Sequence, residues 1–140
     1  IENIKKILSG NKPIMGICLG MQMLFEKSYE NGCFNGLGLI KGEVRYIGEV
    51  IPKDLKIPQI GWNALDMKLN SPIFKYIKNR DYVYFVHSFY GTNCPSVIAT
   101  TEYGAPLTAA VQDKNVYGCQ FHPEKSGDVG LKILKAFCEV

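Results

Sequence analysis

The sequence predicts an α/β domain with a mixed sheet and an antiparallel insertion, and three observations carry this prediction. Helical periodicity of apolar residues marks both ends of the chain, at residues 1–9 and from residue 127 onward. A short apolar run at residues 14–18 is typical of a strand buried on both faces. From residue 37 to about residue 113, runs of β-branched and aromatic residues alternate with Gly, Pro and Asn, which is typical of strands joined by turns.

The helices are predicted from their apolar stripes and from start and stop signals. The first helix, over residues 1–9, has a stripe made of Ile1, Ile4, Ile7 and Leu8, and residues 10–13 (GNKP) end it. Residues 21–26 are helical in composition, and Ser71-Pro72 forms an N-cap and first-turn pair for a helix over 71–79. The last helix begins at Gly127 and has a stripe made of Val129, Ile133, Leu134, Phe137 and Cys138.

The strands are predicted from the β-branched and aromatic runs between these helices. Beside residues 14–18, they cover residues 43–47, 82–86, 97–103, 107–112 and 116–121. Residues 27–36 are rich in Ser, Asn and Gly and form a loop. No repeat, linker or low-complexity stretch divides the chain, so residues 1–140 are expected to belong to one domain.

Composition argues against two classes of partner. The 140 residues include 16 basic and 13 acidic side chains, which gives a net charge of +3 without a block of Lys and Arg. This pattern does not support binding to nucleic acid through a basic face. No stretch approaches the ~20 apolar residues that cross a bilayer, so no membrane is expected as a partner.

The cysteines indicate a reducing compartment. They number five and are scattered, at Cys18, Cys33, Cys94, Cys119 and Cys138. An odd number without a CxxC pair or a signal peptide argues against a disulfide framework, so a cytoplasmic location is expected. Cys119 and His122 have the spacing of a metal-ligand pair, but no second pair accompanies them, so no metal is expected.

Residues 16–20 (GICLG) form a candidate nucleophile motif around Cys18. This G-x-C-x-G stretch lies where the buried strand passes into a helix, and small residues two before and two after allow a sharp turn that exposes the central side chain. The start of the helix would favour the thiolate, and the N–H of Leu19 could meet a developing oxyanion. The alternative is a buried structural cysteine between two packing glycines.

His122 is the candidate base and Glu124 its orienting carboxylate. They belong to residues 118–124 (GCQFHPE), directly after a predicted strand, and Pro123 ends that strand. A thiol nucleophile needs an imidazole within reach, and the imidazole needs a group that holds its tautomer. His87 is the rival, but it has no carboxylate near it in sequence and is expected to have a structural role.

Together these residues resemble the class I glutamine amidotransferases, whose Cys-His-Glu triad hydrolyses glutamine. Within that class the sequence is most similar to the glutaminase-subunit family of imidazole glycerol phosphate synthase, of histidine biosynthesis. The matching stretches are residues 12–22 (KPIMGICLGMQ), 58–63 (PQIGWN), 82–89 (YVYFVHSF) and 117–126 (YGCQFHPEKS). The resemblance implies a flavodoxin-like three-layer fold with a mixed, largely parallel central sheet.

The resemblance also implies a set of roles. Cys18 is the nucleophile, His122 the acid and base, and Glu124 its orienter. Leu19 supplies an oxyanion N–H, Gln22 helps to seat glutamine, and the main chain at Ser88 and Phe89 clasps the substrate, although Tyr is more usual than Phe there. No cofactor or metal is required.

The resemblance further implies a docking surface for a synthase barrel, with which the chain would form a heterodimer. The matching positions are Trp62, Asn63, Tyr84 and Lys125. Three of them have a simpler interpretation: Trp62 as a core aromatic, Tyr84 as a strand residue and Lys125 as a solvated charge. The ammonia would serve the cyclase that makes imidazole glycerol phosphate and the aminoimidazole carboxamide ribonucleotide AICAR.

Family members begin with a βαββ unit before the helix that opens this chain, so the chain is expected to be N-terminally incomplete. That unit carries the second oxyanion donor. Three alternative functions remain open at this point: a paralogous glutaminase for another synthase, such as a surface-sugar amidotransferase; a cysteine peptidase; and a non-catalytic binding subunit.

Overall fold

The computed structural model describes residues 2–140, without the side chains of residues 8 and 9. The three α-helices are α1 (Glu2–Ser9), α2 (Leu19–Met23) and α3 (Gly127–Cys138). The strands are β1 (Ile14–Ile17), β2 (Phe25–Ser28), β3 (Phe34–Asn35), β4 (Ile40–Tyr46), β5 (Gln59–Ala64), β6 (Asp66–Met67), β7 (Tyr82–His87), β8 (Phe89–Thr92), β9 (Val97–Glu102), β10 (Pro106–Asp113) and β11 (Val116–Cys119). Three short 3-10 helices cover Ile47–Glu49, Pro72–Phe74 and Pro123–Lys125. No helix within residues 2–140 is long and apolar enough to cross a membrane.

The strands form three sheets of mixed direction. The central sheet has the order β1-β11-β10-β9-β6, the second has the order β3-β2-β4-β8, and the third is a ribbon of β5 and β7. Two neighbouring pairs are parallel, β1 with β11 and β2 with β4, and the other pairs in the described residues are antiparallel. The predicted mixed sheet is thus confirmed, and antiparallel pairing predominates in this part of the chain.

The central sheet lies between two apolar layers, and its strands send alternate side chains to each. On one face, Tyr117 and Ala110 pack with Phe85 of β7 and Ile133 of α3. On the other face, the buried residues of the central sheet join α2, β2 and β4; they are Val111 and Val116, packed with Met21, Leu24, Phe25, Ile40 and Val44. The three layers are thus β7 with α3, the central sheet, and α2 with β2 and β4.

The terminal helices match their predicted positions, with different degrees of burial. In α3, Gly130, Ile133 and Ala136 are buried, whereas Cys138 of the predicted stripe is exposed. In α1, Ile4 is half-buried and Ile7 is 49% exposed. Ile1 and the side chain of Leu8, which complete the predicted stripe of α1, lie outside the described residues.

The predicted helix over 71–79 is wrong beyond its first turn. Ser71 caps as expected, accepting the Ile73 N–H, but only Pro72–Phe74 is helical. The chain then packs against residues 65–67: the Asn79 side chain accepts the Met67 N–H at 2.8 Å, and the Arg80 N–H donates to the Leu65 carbonyl at 2.9 Å. These bonds to neighbouring strands replace the bonds that would continue a helix.

The prediction for residues 21–36 is also wrong in part. The helix ends at Met23, and Phe25–Ser28 forms β2 instead of a helical turn and a loop. Phe25 is fully buried and pairs with Ile40 of β4, so tertiary pairing overrides the local helical preference of residues 24–26. The 14–18 strand is found as β1, but Ile14, Met15 and Ile17 are half-buried, because β11 is its only partner among the described residues.

Candidate functional site

Cys18 occupies a strained turn between β1 and α2. Its backbone has φ +53° and ψ −109°, a left-handed conformation that a non-glycine residue adopts only where the surrounding structure imposes it. The Cys18 N–H donates to the Cys119 carbonyl at 2.7 Å, which continues the β1–β11 ladder by one residue. The predicted sharp turn at this cysteine is therefore present.

The two glycines of the motif differ in what they do. A Cβ on Gly16 would lie 2.5 Å from the Gly20 carbonyl oxygen and 2.7 Å from the Met21 nitrogen. A Cβ on Gly20 would meet no atom within 4 Å. The expectation that both glycines permit the turn is thus met only at Gly16, where α2 folds back onto β1.

His122 and Glu124 lie just beyond the end of the neighbouring strand. His122 Nδ1 is 2.5 Å from Glu124 Oε1, which leaves Nε2 as the free ring nitrogen for chemistry. The side chain of Ser126 holds this turn: its hydroxyl donates to the His122 carbonyl at 2.6 Å and accepts the Tyr84 N–H at 3.0 Å. Ser126, which the sequence analysis did not single out, is buried and joins the turn to β7.

Parallel pairing brings Cys18 and His122 to the same edge of the sheet. Ile17 is in register with Cys119, so the residues that follow leave adjacent strands in the same direction. Within residues 2–140, however, no hydrogen bond joins the thiol to the imidazole. The Cys18 thiol instead donates to the Val86 carbonyl at 3.7 Å and accepts from Gln120 Nε2 at 3.8 Å.

Burial governs the titration of the two cysteines near this edge. Burial is the largest influence on Cys18 and raises the pKa of its thiol. The Leu19 N–H, the charge of Lys125 and the Gln120 amide lower this pKa, and the negative charge of Glu124 raises it. Burial therefore outweighs the donors around the Cys18 sulfur and opposes the thiolate that the start of α2 was expected to favour. Complete burial raises the pKa of Cys119 to about 12, which makes its thiol inert.

A cavity of about 600 Å³ is lined by residues of α2 and of the segment that follows it, among them Leu19, Gln22 and Glu30. Gln22 is 8% exposed, and its amide nitrogen donates to the Phe89 carbonyl at 3.1 Å and to Gln120 Oε1 at 3.2 Å. Both amide hydrogens are thus used within the protein, and the Gln22 oxygen is left as an acceptor.

The two predicted substrate-clasping residues are tied into the scaffold through their main chain. The Phe89 carbonyl accepts from Gln22, as described above, and also from His87 Nδ1 at 2.9 Å. The Ser88 carbonyl accepts the Ile47 N–H at 2.9 Å. Both carbonyls thus serve packing between elements near the cavity.

His87 has the environment of a structural histidine. It is 5% exposed, burial lowers its pKa, and both ring nitrogens have partners, the Phe89 carbonyl and the Gln59 amide. His122 is more accessible, with a side chain that is 19% exposed, and it has the carboxylate partner that His87 lacks. No group of three or more potential metal ligands occurs within the described part of the chain.

The residues expected at a partner surface lie on or beside the β5–β7 ribbon. Trp62 is 53% exposed and packs edge-on against Tyr84, with ring centroids 6.0 Å apart. Lys125 is exposed in the turn that contains Glu124. Asn63 is different: its amide nitrogen donates to Thr101 Oγ1 at 2.9 Å and to the Glu102 carbonyl at 2.7 Å, so it holds β5 against β9.

The fold and the Cys18 turn agree with a family match over nearly the whole chain. The model of the family "Glutamine amidotransferase class-I" matches residues 1–139. The chain belongs to the class-I glutamine amidotransferase family. The family resemblance inferred from the motifs and the expected fold class are thereby confirmed.

More similar still are proteins named "Imidazole glycerol phosphate synthase subunit HisH". The one from Caldanaerobacter subterraneus subsp. tengcongensis is 53% identical over 99% of this chain and 68% of its own length. Those from Lactococcus lactis subsp. lactis and Listeria monocytogenes serovar 1/2a are 51% and 48% identical, again over 99% of this chain, and are covered over 68% and 66% of their length. The chain thus spans about two thirds of the length of these relatives.

Solved structures confirm the fold at lower identity. A putative GMP synthase component from Thermoplasma acidophilum superposes with a TM-score of 0.66 at 22% identity, covering 96% of this chain and 60% of that one. A glutamine amidotransferase from Thermotoga maritima superposes with a TM-score of 0.64 at 21% identity, covering 99% of this chain and 52% of that one.

The first prediction concerns the two glycines. Gly16→Ala should destabilise the protein by about 1–3 kcal/mol and disturb the Cys18 turn, because the methyl group would overlap the backbone of α2. Gly20→Ala should stay within about 0.5 kcal/mol of the wild type, because its methyl group enters open space. Urea unfolding of both variants measures the difference, and equal destabilisation would contradict this account of the turn.

Proposed function

We propose that this chain carries the glutamine-hydrolysing site of an imidazole glycerol phosphate synthase. The observation that carries the proposal is the strained Cys18 turn at the end of β1, beside the end of β11 and the His122–Glu124 pair. The named relatives, at 48–53% identity, support the same function and do not favour a paralogous synthase. We further propose that residues 1–140 act as parts of one domain.

The chemistry we propose is acyl transfer through Cys18. The thiol proton passes to His122 Nε2, and the thiolate sulfur bonds to the amide carbon of glutamine while the Leu19 N–H supports the oxyanion. The carbon–nitrogen bond then breaks, and the leaving group takes the proton from the imidazolium as ammonia. His122 next removes a proton from water, whose oxygen attacks the thioester. The carbon–sulfur bond breaks, and the thiol regains its proton as glutamate leaves.

The electrostatics of the site support an acid–base pair rather than a permanent thiolate. Because burial raises the pKa of Cys18, the thiol keeps its proton at neutral pH until a base takes it. Glu124 holds Nδ1 of His122 and so directs Nε2 to this task. The cavity that begins at Leu19 has groups suited to an amino-acid substrate, because Gln22 offers an oxygen acceptor and Glu30 offers a carboxylate to a free ammonium group.

We propose that the β5–β7 ribbon docks on the synthase subunit, so that the two chains form a heterodimer. Trp62, Ile60 and Tyr82 are 53%, 62% and 55% exposed, a density of apolar surface typical of a protein interface. Tyr84 and Lys125 lie next to this surface and next to the His122 turn, and Asn63 fixes the ribbon from below. A partner bound here would therefore lie near the site that releases ammonia. We place the complex in the cytoplasm, consistent with the five free thiols.

The second prediction separates the two cysteines at the sheet edge. In the full-length protein, Cys18→Ala should lower glutamine hydrolysis by about 10³-fold or more, because the nucleophile is removed. Cys119→Ala should keep most of the activity, because that thiol is fully buried and fully protonated. Glutamate release measures both, and a comparable loss in two folded variants would contradict the assignment of Cys18.

The third prediction assigns the base. In the complex with the synthase subunit, His122→Asn should abolish glutamine-dependent turnover and leave turnover with added ammonium intact. His87→Asn should lower glutamine-dependent turnover only in part, because His87 contacts the scaffold and reaches Cys18 only through Gln22 and Gln120. If His87→Asn alone produced the selective loss, the two histidines would have the opposite roles.

The fourth prediction tests the docking surface. Trp62→Ala should weaken binding of the synthase subunit by about 2 kcal/mol, or roughly thirtyfold in Kd, as expected of a central aromatic anchor. Leu131→Ala is the matched control, because Leu131 is 63% exposed on α3 and lies outside the ribbon. Calorimetric titration with the synthase subunit compares the variants, and equal affinities would rule out Trp62 as an anchor.

A further inference from the structure

A chain of buried polar side chains leads from the β5–β7 ribbon to Cys18. Its members, Gln59, His87, Gln22 and Gln120, are 3%, 5%, 8% and 0% exposed. Burial of an amide or an imidazole is costly unless its hydrogen bonds are made, so four such side chains in succession need a reason beyond packing. The motifs of the sequence account for Gln22 alone among the four.

The hydrogen bonds run without a break. The Gln59 amide lies 2.7 Å from His87 Nε2, and His87 Nδ1 lies 2.9 Å from the Phe89 carbonyl. That carbonyl also accepts from Gln22 Nε2 at 3.1 Å, which donates in addition to Gln120 Oε1 at 3.2 Å. Gln120 Nε2 then donates to the Cys18 sulfur at 3.8 Å. The chain thus ends on the proposed nucleophile.

The direction of each bond follows from His87. Burial keeps its imidazole neutral, and a carbonyl can only accept, so the ring proton is on Nδ1. Nε2 is then an acceptor, whereas the atom placed 2.7 Å from it is Gln59 Oε1. The two groups form a hydrogen bond when the Gln59 amide is turned by half a turn, so that its nitrogen faces Nε2. The Phe89 carbonyl therefore accepts from both His87 Nδ1 and Gln22 Nε2. Since only the nitrogen of the Gln22 amide can donate to this carbonyl, the orientation of the Gln22 amide is fixed.

We propose that Gln120 is a positioning residue for the Cys18 sulfur, held in place by the hydrogen-bonded chain from Gln59 through His87, the Phe89 carbonyl and Gln22. Its backbone is fixed as well, because the Gln120 N–H donates to the Ala109 carbonyl at 2.8 Å. With Oε1 occupied by Gln22, the amide directs its nitrogen toward the sulfur. The importance of this role for turnover rests on the proposed glutaminase function.

The contact matters most when Cys18 loses its proton. The thiol donates to the Val86 carbonyl, and this bond disappears on ionisation and leaves an oxygen facing a negative sulfur. The donors that then remain around the sulfur are the Leu19 N–H and the Gln120 amide, while Lys125 attracts the charge and Glu124 repels it. Gln120 therefore stabilises the thiolate relative to the thiol and aims it away from Val86.

The test measures alkylation of Cys18 by iodoacetamide from pH 6 to pH 10 in the full-length protein. Mass spectrometry follows the peptide that contains Cys18, because Cys33 and Cys138 are exposed and also react. Gln120→Leu removes the donor, and Gln120→Glu keeps the size and the acceptor for Gln22 but places an oxygen at the sulfur. Gln112→Leu, on the outer end of β10, is the matched control.

We expect the alkylation profile of Gln120→Leu to move to higher pH, with a rate at pH 8 that is about three- to tenfold lower. Gln120→Glu should move the profile further, and Gln112→Leu should not move it. Gln59→Leu should move it in the same direction as Gln120→Leu, because it releases His87 and so loosens Gln22. In the complex with the synthase subunit, Gln120→Glu, which keeps the acceptor for Gln22, should lower kcat for glutamine with KM within about twofold of the wild type.

Wild-type alkylation profiles in both Gln120 variants would overturn the proposal. If the alkylation profile shifted in the Gln120 variants but not in Gln59→Leu, the claim that Gln59 helps to hold Gln120 in place would be wrong. Where Gln120→Leu does not fold, Gln120→Glu tests the same bond. If the profile shifts but the wild-type complex releases no glutamate from glutamine, the glutaminase function fails while the positioning role is supported.

Discussion

The candidate site depends on the parallel pairing of β1 with β11. Four residues of each strand are in register, and the Cys18 N–H extends the ladder to the Cys119 carbonyl. Because the strands are parallel, both chains leave the sheet at one edge, which places the Cys18 turn next to the turn that contains His122. An antiparallel pairing of the same strands would place the two turns at opposite ends of the strands.

Close packing then fixes the details at this edge. α2 lies against β1 because Gly16 has no side chain, and this contact forces Cys18 into its left-handed conformation. On the other strand, Ser126 ties the His122 turn to β7 with two hydrogen bonds. Cys18 and the His122 turn are therefore held by different neighbours, α2 for Cys18 and β7 for the turn.

The electrostatic state of the site follows from burial more than from nearby charge. Burial is the largest influence on Cys18 and raises its pKa, and the surrounding N–H groups oppose this only in part. The resting site holds a thiol that donates to Val86. Such an arrangement lowers the reactivity of the sulfur toward adventitious electrophiles, because the thiolate and not the thiol is the nucleophilic form.

Local patterns determined much of this protein by themselves. The glycines around Cys18, the His122-Pro123-Glu124 run and the apolar stripe of α3 depend on residues close in sequence, and they predict the family and the existence of both strands at the site. The two strands end at Ile17 and Cys119, before the predicted ends at residues 18 and 121. Tertiary structure decided the rest. Phe25 joins a strand because β4 offers it a buried partner. The helix predicted over residues 71–79 ends at Phe74, and Asn79 bonds instead with Met67 of β6. The thiol state of Cys18 and the chain from Gln59 to Gln120 depend on burial and on contacts between residues up to 102 positions apart, which no local pattern records.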